Sequence, residues 1–177
     1  MKFIILPFYL ALVTVASAHA EVGAWKQYVN ERFGFSLKYP ATLVASPDPV
    51  DGAGREYHTP DYEFSVATAA HFLRIVDSNE SLESHWQEEL KDLKNQISYK
   101  TKGASWYVVS GVTTNGQVFY HKFFTKGNNW ATFHITYPKS KKAKYDSWVT
   151  RIAIHFVPFL KGKNYDRSDW NGIRRAS

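Results

Sequence analysis

The chain has 177 residues, no cysteine, 16% aromatic residues and a formal charge of +6. Without cysteine there can be no disulfide, no thiolate zinc site, no cysteine nucleophile and no lipid-modified N-terminal cysteine. Its size suits one ordinary domain that is stabilised by packing.

Residues 1–20 read as an export signal. Lys2 gives a positive start, an apolar run spans residues 3–15, and Ala18-His19-Ala20 places small residues where a signal peptidase reads. The run is too short to cross a bilayer as a helix, for which roughly 20 apolar residues are needed. The mature chain is expected to begin at Glu21 as a soluble periplasmic or secreted protein. Its positive charge is concentrated late: from residue 139 onward there are ten Lys or Arg against three Asp.

Strands are expected first, over residues 25–30 and 33–39, joined at Glu31-Arg32 and stopped by Pro40. A loop holding Pro47, Pro49 and Asp51-Gly52-Ala53-Gly54 follows. Next come strands at 55–59 and 63–69, around the turn Pro60-Asp61, with Phe64 and Val66 on one face. Leu82, Trp86, Leu90, Leu93 and Ile97 recur at helical spacing, which predicts a helix over 78–96. Strands at 105–112, 117–125 and 130–137 should form an antiparallel meander. Tyr145, Trp148, Val149, Ile152 and Phe156 predict a second helix over 141–156, closed by Pro158. Residues 159–177 read as a basic tail, so the expected organisation is a signal at 1–20, one domain at 21–158 and a tail at 159–177. The order of elements predicts an α+β fold, an antiparallel β-sheet covered by helices.

The string Tyr28-x-Asn30-x-Arg32-Phe33-Gly34-Phe35, with Tyr39-Pro40 and Asp51-Gly52-x-Gly54-Arg55, resembles the opening of an uncharacterised family of small exported bacterial proteins. The aromatic strand at 119–124, Tyr137-Pro138, and Arg151-Ile152-Ala153 before Phe156 follow in the same order, so the likeness covers residues 25–158. That family looks like the PsbP-like α/β/α sandwich of extrinsic photosystem proteins and a fungal Ran-binding protein. The resemblance implies a fold. Proteins sharing it bind different partners, and no calcium, chloride or Ran site is carried over.

Three places could carry chemistry. If Asn115-Gly116 is a two-residue turn, Ser110 lies opposite His121; a four-residue loop next places His121 opposite His134. Such a row would suit a metal, a proton shuttle or a serine nucleophile. Trp106, Val108, Phe119, Phe123 and Trp130 would share its face, and Tyr107, Val109, Tyr120, Phe124, Phe133, Ile135 and Tyr137 the other. The plainer reading is histidines satisfied by neighbouring hydroxyls beside a helix. The loop from Asp51 to Arg55 is the second place, able to aim amides and a guanidinium at a small anionic ligand. Its structural alternative is a tight turn with Arg55 paired to Glu56 or Asp61. The third is the tail, whose Lys161, Lys163, Arg167, Arg174 and Arg175 are interleaved with Tyr165 and Trp170. It could dock on an acidic partner or a membrane surface, since export disfavours nucleic acid. His85 and Glu89 read as solvated helix surface. No cofactor, resident metal or complete catalytic set is indicated. The function expected is a non-enzymatic binding or accessory module; the rivals are a hydrolase or metal-dependent enzyme using the His121/His134 row, and an envelope protein docking through its tail.

Overall fold

Strands whose apolar residues alternate on both faces need a covering layer on each side, and this chain supplies both. A computed structural model describes residues 23–72 and 81–162; the expected signal peptide and most of the expected tail lie outside them. The strands are β1 (Trp25–Asn30), β2 (Phe35–Pro40), β3 (Val44–Ala45), β4 (Gly54–His58), β5 (Ser65–Phe72), β6 (Ile97–Lys102), β7 (Trp106–Val112), β8 (Gln117–Lys126) and β9 (Asn129–Pro138). The helices are α1 (Leu82–Asp92) and α2 (Lys142–His155). A seven-stranded antiparallel sheet runs β3-β4-β5-β9-β8-β7-β6, and β1-β2 form a separate hairpin.

One sheet face carries Val66, Phe133, Ile135 and Tyr137, buried with Tyr145, Val149 and Ile152 of α2 and with Phe35 and Leu37 of the hairpin. α2 is tied down by Glu63, which accepts from the Tyr145 hydroxyl at 2.6 Å and the Lys144 ammonium at 2.8 Å and pairs with Lys141 at 2.9 Å. These three donors hold the Glu63 carboxyl down at about 2. The other face packs Tyr107, Val109, Phe119 and Phe123 against Trp86 of α1. Ser81 caps α1, its hydroxyl accepting the Ser84 amide at 3.0 Å, and the first turn carries Glu83. The result is a three-layer α/β/α sandwich.

Two short strands, β3 and β6, escape the sequence reading. β6 is an edge strand whose residues are mostly exposed, so no apolar alternation marks it. The expected tail begins as structure: the Leu160 amide donates to Gly34 O at 2.7 Å, and Phe159 packs on the main core.

The motif residues near the start build a junction. Asn30, 5% exposed, donates to Gly52 O at 2.9 Å and to the Tyr28 hydroxyl at 3.0 Å while accepting the Phe33 amide at 2.9 Å. Arg32 donates to Asp51 O, and Gly34 takes a left-handed φ of 65° as its amide returns to Asn30 O.

Candidate functional site

α1 does not cover its sheet face completely. Between its second half and strands β7, β8 and β9 lies an open groove of about 410 Å³, lined by Glu88, Glu89 and Asp92 from the helix and Tyr107, Phe123 and Trp130 from the strands, among others. The strand residues lie together because β8 and β9 pair with Phe123 opposite Thr132, and β7 and β8 with Tyr107 opposite Phe123. Tyr107 and Phe123 stack at 5.1 Å and 9°, and Phe123 and Trp130 at 5.5 Å.

His121 is fixed behind the groove. Its Nδ1 donates to Glu89 Oε1 at 2.5 Å, and its Nε2 meets Thr132 Oγ1 at 2.5 Å. The Thr132 hydroxyl also donates to Lys122 O at 2.8 Å. Both ring nitrogens of His121 are therefore engaged, one by a carboxylate and one by a hydroxyl. His134 is its cross-strand partner, with ring centroids 5.7 Å apart. Part of the His134 surface stays open to solvent, yet protein crowded around the ring, and next the field of His121, push its pKa down to about 4. Burial, followed by Glu89, pushes the Tyr107 hydroxyl up.

Ser110 does not join this row. It pairs with Tyr120, and Val109 is the residue opposite His121. The turn is the cause: the Thr113 amide donates to Gln117 O at 2.8 Å, leaving the three residues 114–116 as the loop, with Gly116 at φ 79°. That added residue turns β7 over, so Tyr107 and Val109 share the histidine face while Trp106 and Val108 lie on the other. The serine nucleophile of the hydrolase reading is thereby removed. Among the described residues, no group of three His, Asp or Glu is placed to hold a metal.

The loop at 51–55 satisfies itself. Asp51 Oδ1 accepts the Ala53 amide at 3.0 Å, and the Gly52 amide goes to Pro49 O at 2.9 Å. Arg55 pairs with Asp48 at 3.2 Å, not with Glu56 or Asp61. Gly54 serves close packing, since a Cβ there would stand 1.8 Å from Thr68 O.

His85 and Glu89 correct the expectation of a solvated surface. The Glu89 side chain is only 13% exposed, and the His85 ring lies 4.7 Å from Phe123. The signal was present in the sequence: Glu89 follows Trp86 by three residues and precedes Leu93 by four, which places it beside the apolar stripe.

Solved structures share the sandwich. The solution structure of cyanobacterial PsbP from Synechocystis sp. PCC 6803 matches with a TM-score of 0.57 at 9% identity, over 80% of this chain and 96% of that one. The fold is PsbP-like. A crystal structure from Bacteroides thetaiotaomicron VPI-5482 matches with a TM-score of 0.53 at 14% identity, over 87% of this chain but only 57% of that one. No family model and no curated protein matches the sequence. At these identities the PsbP-like likeness concerns architecture, so the groove must be read from its own residues. No helix among the described residues is long and apolar enough to cross a membrane.

Proposed function

We propose that this protein is exported and works as a non-enzymatic binding or accessory module in the periplasm or outside the cell, taking its ligand in the groove beneath α1. The observation that carries the reading is the groove itself: a volume in the range of small-molecule sites, a wall of stacked aromatic residues and a few polar groups at the helix side. The Thr132 hydroxyl beside His121 Nε2 directs its proton to the Lys122 carbonyl and not to the imidazole, which supports binding over catalysis by a Glu89–His121–Thr132 relay. The apolar run ending in Ala18-His19-Ala20 supports export.

A thermal-shift screen with a chemically mixed set of small molecules, run in parallel on the native protein and Trp130→Ala, tests the site. Ligands that stabilise the native protein should lose their effect in the variant. Ligands that stabilise both equally would place binding elsewhere.

A further inference from the structure

The helix side of the groove breaks a local rule. Acidic side chains disfavour the C-terminal half of a helix, and like charges four apart repel. Yet Glu88, Glu89 and Asp92 all fall in the second half of α1, with Glu88 and Asp92 four apart. Glu89 is engaged with His121; Glu88 and Asp92 form no ion pair among the described residues. All three line the groove, and no Lys or Arg lines it. The opposite wall is the stacked series Tyr107, Phe123 and Trp130, whose electron-rich rings favour a cation. Carboxylates and aromatic rings around one volume share a single complementary ligand class: a positive charge on an apolar body. An anion would meet repulsion from Glu88 and Asp92 with no Lys or Arg in the lining to offset it, and His121 is already paired with Glu89.

Resting on the reading of the groove as a ligand site, we propose that it binds an organic ammonium, an amine or quaternary ammonium compound. Its apolar body lies against Trp130, the half-buried end of the stacked series, and its charge lies between Glu88 and Asp92. The acids at the unfavourable end of α1 are then explained by the ligand they meet.

The probes are benzyltrimethylammonium and 3-phenylpropanoate, which carry similar aromatic bodies and opposite charges, titrated at low ionic strength with the Trp130 indole signal followed by NMR. The cation is expected to bind and the anion not. Glu88→Gln with Asp92→Asn, both exposed positions, should keep the fold and weaken cation binding by roughly tenfold. Equal binding of both probes, or undiminished cation binding in the double variant, overturns the proposal. If the groove takes the anion or a neutral compound and refuses the cation, the ammonium assignment falls while the groove survives. If no probe and no member of the mixed screening set perturbs the groove, both fall. Cation binding that emerges only after residues 163–177 are removed would assign the groove to the chain's own basic C-terminus and likewise overturn the proposal.

Discussion

His134 and Glu63 make the fold sensitive to acid in two separate windows. His134 titrates at about 4 in the folded chain against an ordinary 6.5, so the unfolded chain binds the proton more readily. Stability from this group is complete above about pH 6.5 and falls as pH drops toward 4. Glu63 titrates at about 2 against 4.5, so its contribution is present above 4.5 and lost as pH falls toward 2. Melting temperatures across the acid range should therefore decline in two steps. His134→Gln should flatten the upper step alone and Glu63→Gln the lower alone; a variant that leaves its own step unchanged would show that another group titrates there. The resembling motif at 28–35 also resolves at this scale. Asn30 and Arg32 each donate to a carbonyl of the loop at 51–52, so that string marks a fold junction. Spacing cannot reveal this, because the partners are about 20 residues apart.

At the scale of elements, long periodic segments were legible and short connections were not. α1 and α2 follow directly from their apolar stripes, and the meander from its alternation. The Thr113–Gln117 turn contains one loop residue more than its Asn-Gly pair suggests, and that residue inverted the predicted face of β7. The β8–β9 register was read correctly, although the strands pair down to Lys126 and Asn129 and shorten the expected loop. Gly54 gives a direct test of what the 51–55 loop is for. Gly54→Ala forces a Cβ against the Thr68 carbonyl and should destabilise by about 1–3 kcal/mol in urea unfolding. Unchanged stability would release this glycine from its packing role. Truncation makes a second test: ending the chain after Pro158 removes Phe159 and Leu160 from the core and from Gly34, so it should lower the melting temperature more than ending it after Gly162.

At the scale of the whole molecule, an antiparallel sheet covered by helices was legible from the order and period of the elements, and the PsbP-like sandwich from the resemblance carried by the motif strings. The groove was not, since it depends on how α1 sits across β7, β8 and β9, and on a turn residue that decides which aromatics lie beneath it. Export belongs to this scale too. Protein recovered from the periplasm or medium should start at Glu21 on N-terminal sequencing; a chain retained in the cytoplasm and starting at Met1 would contradict it. The central claim is that the groove beneath α1 is where the protein takes its ligand. Mapping backbone amide shifts by NMR while titrating the compounds that stabilise the native protein tests it most directly. The account predicts shifts concentrated on the second half of α1 and on the facing residues of β7, β8 and β9. Shifts concentrated at the 51–55 loop or along β6, with the groove unmoved, would contradict it.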